Sequence, residues 1–278
     1  METLTQTIPN QTLANGLQIP QLGLGVLKAK DGSEVRQAVT TALRLGYRLI
    51  DTAAAYRNEA GVGMALKESG IPREEIFLTT KVWNSDQGYE QTLRAFEKSL
   101  KLLQTDYIDL YLVHWPVAGK YKDTWRALEH LYETGKVKAI GVSNFQIHHL
   151  QDLMTTARIM PMVNQVEVHP HLQQDALLAF AQGHGIVLEA WRPIMMGEVK
   201  DIPLLKQIGM KYGKSPVQVA LRWLTQRGIV AIPKSVTSGR IAQNADIFDF
   251  ELSPFEMSKM AQLDQGRRLG PDPDNFNF

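Results

Sequence analysis

The sequence predicts an α/β fold, a (β/α)8 TIM barrel built as a single domain over residues 1–278, and three observations carry that expectation. Short apolar runs alternate with longer amphipathic segments along the chain. The alternation repeats eight times, which favours a parallel sheet closed into a barrel over an open doubly wound sheet. No low-complexity or Ser/Gly-rich linker interrupts it, and 278 residues with 44% hydrophobic content suffice for one large core.

The opening TIPNQTLANGLQIP sets Asn15-Gly16 between two alternating segments, the signal of a two-residue hairpin turn, so an N-terminal β-hairpin is expected to cap the barrel. Strand-like runs follow at LGLGV (22–26), YRLID (47–51), IFLTTKV (76–82), YIDLYLV (107–113), VKAIGV (137–142), MVNQVEV (162–168), IVLEA (186–190) and IVAIP (229–233). Between them SEVRQAVTTALRLG, GYEQTLRAFEKSLKLL, DTWRALEHLYETGK and QDALLAFAQGHG carry helical spacing, several closed by a glycine suited to a C-cap. The last stretch, QGRRLGPDPDNFNF, is rich in Pro, Asp and Asn and is expected to form an irregular tail folded over the barrel mouth.

Composition narrows the function classes. A formal charge of +1, with no long basic block, gives no electrostatic support to nucleic-acid or membrane-surface binding, so the expected partner is a small molecule. The absence of cysteine excludes disulfides, thiolate metal sites and a cysteine nucleophile. METLTQTIPNQ lacks the basic start and apolar stretch of a signal peptide, and no apolar run approaches the roughly 20 residues that cross a bilayer. A cytoplasmic protein is the expectation.

Four residues at predicted strand ends carry chemistry. Asp51 ends the second barrel strand, Lys81 the third and His114 the fourth, so their side chains should converge at the C-terminal face, where barrel enzymes keep their active sites. Tyr56 follows in the loop after Asp51. Each alone has an ordinary structural use, as a buried ion pair, a core histidine or a packing tyrosine. Together they make a general-acid site, because a lysine paired to an aspartate would lower the tyrosine pKa from about 10.

The blocks LGLGV, LIDTAAAYRNEAGVGMAL, LTTKVWN, DYIDLYLVHWP, GKVKAIGVSNF, NQVEVHP, IPKS and RIAQNADIFDF together resemble the aldo-keto reductases, and in particular the short bacterial members that reduce glyoxals and diketo-gluconates. The resemblance runs nearly end to end. It implies NADPH-dependent reduction of aldehydes and ketones on this barrel, with Tyr56 as proton donor, Lys81 and Asp51 as its tuning pair, and neutral His114 orienting the substrate carbonyl. A monomer is the default that it implies.

A dinucleotide fingerprint is missing, since Gly23-Leu24-Gly25 and Gly61-Val62-Gly63 both lack the third glycine. The resemblance instead assigns Ser143, Asn144 and Gln165 to the nicotinamide carboxamide and Trp191 to stacking on its ring. It assigns Lys234, Ser235 and Arg240, just before or within a helix start, to the adenosine 2′-phosphate, with Gln243 and Asn244 beside the adenine. Val26, Leu27, Ala55, Trp83 and Trp115 are expected to wall a small, open carbonyl pocket, because the loop from His114 to the helix near Lys122 is short.

Three positions depart from the family pattern. Arg192 stands where a small residue usually precedes the proline, with three outcomes open: binding phosphate, blocking the loop pose, or pointing to solvent. Gln243 replaces a common Glu, and Ala55 replaces a larger residue and is expected to enlarge the pocket. Two rival readings remain, a non-catalytic NADPH-binding barrel and a metal-dependent hydrolase using Asp51, His114, His169 and His171. The His169-Pro170-His171 spacing matches no strong ligand motif, and no metal is expected.

Overall fold

The structure is a computed structural model that describes residues 7–278. Two short antiparallel strands, β1 (Asn10–Thr12) and β2 (Gln18–Pro20), form the hairpin. Its connection is not the expected two-residue turn. Leu13 N–H donates to the Leu17 carbonyl at 2.8 Å and Gly16 N–H to the Leu13 carbonyl at 2.9 Å, which leaves a three-residue loop. Gly16 takes φ +88°, as the αL position of such a loop requires. The Asn15 side chain holds it in place by donating to the Lys138 carbonyl at 2.9 Å.

All eight barrel strands form, in sequence order and parallel: β3 (Leu24–Gly25), β4 (Leu49–Asp51), β5 (Phe77–Val82), β6 (Ile108–Val113), β7 (Val137–Ser143), β8 (Val163–Glu167), β9 (Val187–Trp191) and β10 (Val230–Ala231). Every residue of these strands except Lys138 and Trp191 is buried, as expected of a parallel sheet covered on both faces. The ring closes between β3 and β10 through Gly23 N–H to the Ala231 carbonyl at 2.9 Å and Ala231 N–H to the Gln21 carbonyl at 3.0 Å. These two strands are shorter than expected because their pairing breaks into isolated bridges, Leu22 with Ala231 and Gly25 with Lys234.

Helices α1 (Ser33–Arg44), α2 (Glu59–Glu68), α3 (Tyr89–Leu103), α4 (Tyr121–Glu133), α5 (Ile147–Met154) and α6 (Asp175–Gly183) connect successive strands from β3 to β9. Helices α7 (Pro203–Tyr212) and α8 (Pro216–Gln226) fill the longer step to β10, and α9 (Ser238–Ala245) and α10 (Pro254–Ala261) follow it. Each main helix buries one stripe: Val35, Ala38, Val39 and Ala42 of α1 recur at the spacing of a single helical face. Proline at the first position and a Ser–Gln or Ser–Glu capping box start α8 and α10. No helix among the described residues is long and apolar enough to cross a membrane.

Inside the barrel, Leu49, Phe77, Leu110, Leu112, Val187 and Val230 pack together, and Leu13 and Ile19 of the hairpin join this cluster. The hairpin thus closes one end of the barrel with apolar side chains. The opposite end is left for the strand C-termini and the loops that follow them.

Candidate active site

Lys81 on β5 is fully buried, and its ammonium donates to both carboxylate oxygens of Asp51 and to the Thr52 carbonyl, all at 2.8 Å. A buried charge must be paired in this way or it costs several kcal/mol. The Tyr56 hydroxyl lies 3.4 Å from the same ammonium. Tyr56 ends a short 3-10 turn, Ala54–Tyr56, and the next residue, Arg57, turns the chain at φ +54°. That loop is fixed from below by Asn58, which accepts from Thr52 at 2.8 Å and donates to the Val26 and Ala29 carbonyls at 2.9 and 3.0 Å. His114 follows β6 and sets its ring edge-on to Tyr56 and to Trp83, with centroids 5.8 and 5.1 Å away.

The electrostatics correct one expectation. Burial of the Tyr56 hydroxyl pushes its pKa up; Lys81 opposes this and Asp51 adds to it, so the net direction is upward, not downward. Lysine's pull is present, but desolvation outweighs it. Burial pulls Lys81 down, yet the Asp51 charge and the Tyr56 hydroxyl more than compensate, so it stays an ammonium. Burial and the neighbouring Lys81 hold His114 well below its ordinary range, so it is neutral at physiological pH. Its Nδ1 is buried without a partner among the described residues.

Ser143 donates to the Gln165 carbonyl at 2.8 Å, and Asn144, at φ +66°, donates to the His114 carbonyl at 3.0 Å. Trp191 is half-buried and its indole N–H donates to Asn144 Oδ1 at 2.8 Å. Gln165 spends its amide nitrogen on Asp51 at 2.8 Å and on Glu189 at 2.7 Å, leaving its oxygen for a ligand. All four residues line one cavity with Asp51, Tyr56 and His114.

That cavity, about 1590 Å3, continues past Trp191 to Lys234, Ser235, Arg240, Gln243 and Asn244. Lys234 and Arg240 are exposed and enter no ion pair among the described residues, while Ser235 and Asn244 are buried beside them. Two free cations with a hydroxyl at the start of α9 fit a phosphate-bearing dinucleotide. Arg192 lines the same cavity and is partly buried, so of its three expected outcomes pointing to solvent is the one not seen. Its guanidinium donates to the Leu269 carbonyl of the C-terminal tail and lies 5.3 Å over the Trp191 ring.

Leu27, Ala55, Trp83 and Trp115 line the catalytic end of the cavity, but Val26 does not. Val26 is 1% exposed and packs in the core, because the chain leaves β3 here in a turn, closed by Ala29 N–H to the Val26 carbonyl at 3.0 Å, that carries Leu27 outward. The pocket is also less open than the short loop after His114 implies. Phe278 stacks on Trp83 with centroids 5.8 Å apart, and Phe276 and Phe278 meet Trp115 at 5.1 and 5.2 Å. Glu167 anchors this tail further back by accepting from the Leu269 and Gly270 N–H groups at 2.8 and 3.1 Å.

The hydrolase ligand set does not assemble. Both Asp51 oxygens serve Lys81, and His169 Nε2 is engaged by Glu167 at 3.1 Å. Among the described residues, the group of metal-capable side chains within reach of one another is His148, His149 and Asp274, at the outer α5 and the tail. Sequence reasoning missed Glu189, although a lone carboxylate in the apolar run IVLEA was the available signal.

The Aldo/keto reductase family profile matches residues 21–265. Glyoxal reductase of Bacillus subtilis (strain 168) is 58% identical over 266 residues, covering 96% of each chain. Methylglyoxal reductase DkgA of Escherichia coli (strain K12) is 50% identical over 268 residues, covering 95% of this chain and 96% of its own. A Bombyx mori aldo-keto reductase (AKR2E4), solved in complex with NADP, superposes with a TM-score of 0.92 at 37% identity, over 97% of each chain. Matches of this length, on a closed barrel whose mouth joins Asp51, Tyr56, Lys81 and His114, leave one conclusion: the chain belongs to the aldo/keto reductase family.

Proposed function

We propose that this chain acts as a single domain that reduces small aldehydes and ketones with NADPH, glyoxals first among them. The observation that carries the reading is the contact of the Tyr56 hydroxyl with the Asp51-paired ammonium of Lys81, beside neutral His114. The relatives named glyoxal reductase and methylglyoxal reductase support the substrate class, and the relative solved with NADP supports the cofactor.

NADPH, when bound, supplies the hydride. The protein's part is to neutralise the negative charge that develops on the carbonyl oxygen. His114 donates an N–H to that oxygen and orients it. Tyr56 gives up its proton to the oxygen, and Lys81 stabilises the tyrosinate left behind. Because burial raises the Tyr56 pKa, this ammonium is what keeps the tyrosine usable as an acid. Asp51 holds the ammonium in position and charged. Ser143, Asn144 and the free oxygen of Gln165 would hold the carboxamide, Trp191 would support the ring, and Lys234, Ser235, Arg240, Gln243 and Asn244 would hold the adenosine phosphate end. Leu27, Ala55, Trp83 and Trp115 wall the substrate, and the small Ala55 leaves room for bulkier carbonyls.

The test is NADPH oxidation with methylglyoxal and with a bulky aromatic ketone, in wild type and Tyr56→Phe side by side. Loss of the proton donor is expected to lower kcat by on the order of 10²-fold, with NADPH affinity nearly unchanged. Tight NADPH binding with no oxidation in the wild type would instead favour a binding barrel without turnover.

A further inference from the structure

Glu189 on β9 is fully buried inside the barrel, in register with Gln165 on β8 and Val230 on β10. Its Oε2 accepts from Gln165 Nε2 at 2.7 Å, and the same nitrogen donates to Asp51 Oδ2 at 2.8 Å. One amide nitrogen therefore bridges two carboxyl groups. Lys81 bonds both oxygens of Asp51 and none of Glu189, whose Oε1 meets no hydrogen-bonding group among the described residues. A buried carboxylate with one bare oxygen next to a second anion takes up a proton.

We propose that Glu189 is a positioning residue of the catalytic centre: neutral, it leaves Asp51 and Lys81 as the ion pair beneath Tyr56, and on losing its proton to solvent it slows reduction. The inference rests on Tyr56 being the proton donor. Ionised Glu189 adds a negative charge that pushes both Tyr56 and Lys81 further up, which makes Tyr56 a weaker acid.

The groups facing Glu189 are Asp51 from β4, the Tyr56 hydroxyl from the loop after β4, Lys81 from β5 and Gln165 from β8; β10 contributes Val230. Burial first, and the Asp51 charge second, push Glu189 up to about 8, against the pull of Gln165 and Lys81. Tyr56 and Lys81 are displaced upward from ordinary values already above 9, and His114 lies well below its own. The sign follows: Glu189 is protonated and reduction is fast on the acid side, and the rate falls as pH rises through the Glu189 pKa.

The experiment is single-turnover oxidation of bound NADPH by methylglyoxal from about pH 6.5 to about 9.5, in wild type, Glu189→Gln and Tyr56→Phe. Wild type is expected to slow at least about threefold through an apparent pKa near 8, and Glu189→Gln to lose that descent. A merely structural glutamate would alter the rate at all pH values without moving the limb. An unchanged limb in Glu189→Gln overturns the proposal. If Glu189→Gln fails to fold, wild type decides alone, since a flat profile across the range overturns it equally. Tyr56→Phe separates the two ideas: a fast Tyr56→Phe protein sinks the proton-donor reading itself, whereas a slow one with an unchanged Glu189→Gln limb sinks only the role of Glu189.

Discussion

Lys234, three residues past β10, is an exposed cation with no ion-pair partner among the described residues, next to the buried Ser235. A 2′-phosphate would gain a charge-assisted hydrogen bond from it worth about 1.5–3 kcal/mol, which a ribose hydroxyl would not. Lys234→Ala is therefore expected to weaken NADPH by roughly ten- to a hundredfold and NADH by less than about threefold, read as two dissociation constants by titration calorimetry. Equal losses for both nucleotides would remove the 2′-phosphate role. At this scale the sequence revealed much of the site, because Asp, Lys and His at successive strand ends are costly unless used. The direction of the Tyr56 shift was not legible, since it depends on how deeply three other segments bury one hydroxyl. Val26 was misread for a related reason: adjacency to Leu27 in sequence says nothing about which side of the strand end a residue faces.

The C-terminal tail shows what an irregular element can contribute. Its composition foretold an aperiodic segment over the mouth, but its grip comes from partners distant in sequence that no local pattern reveals. His148 and His149 meet Asp274 at 2.9 and 3.4 Å in a largely exposed cluster, an arrangement worth about 0–1 kcal/mol per pair. His149 Nδ1 accepts from the Gln146 N–H at 3.1 Å, which puts the ring proton on Nε2, facing Asp274. The aromatic contacts of Phe276 and Phe278 with Trp83 and Trp115 are worth about 0.5–1.5 kcal/mol each beyond the area they bury, so at the end of the tail they outweigh the Asp274 pairs, while Glu167 holds the segment further back. Replacing both phenylalanines by alanine is expected to raise KM for methylglyoxal by about threefold or more, with a smaller change in kcat, because a wall of the pocket goes while Tyr56, Lys81 and His114 stay. Unaltered kinetics with both a small and a bulky carbonyl would show that the tail covers the mouth without touching substrate. The hairpin teaches the complementary lesson: Asn15-Gly16 announced a turn, yet loop length was decided by the Leu13–Leu17 pairing and by the Asn15 contact with Lys138, a tertiary contact.

At the scale of the molecule, closure is what turns eight strand ends into one site, and it was the feature least accessible to periodicity. Strand-helix alternation gives the same pattern for an open and a closed sheet; the difference lies in whether the first and last strands meet. Here they meet at a thin seam, where β3 and β10 are each two residues long and the pairing continues only as isolated bridges. Gly25 belongs to that seam: its N–H donates to the Pro233 carbonyl at 3.3 Å, and a Cβ on it would sit 2.8 Å from the Ile232 carbonyl oxygen. The obstacle is backbone, so a side chain cannot rotate out of its way. Gly25 also lines the cavity, and Lys234 is its bridge partner, so opening the seam would move the proposed phosphate cation away from the tyrosine end of the same site. Gly25→Ala is therefore expected to destabilise the protein by about 1–3 kcal/mol, lowering Tm by several degrees at this chain length, and to weaken NADPH in parallel. Thermal unfolding and nucleotide titration on the same variant check both halves. A Tm equal to wild type would show that the seam gives way freely, and a lowered Tm with NADPH affinity intact would show that barrel closure and cofactor binding are mechanically separate.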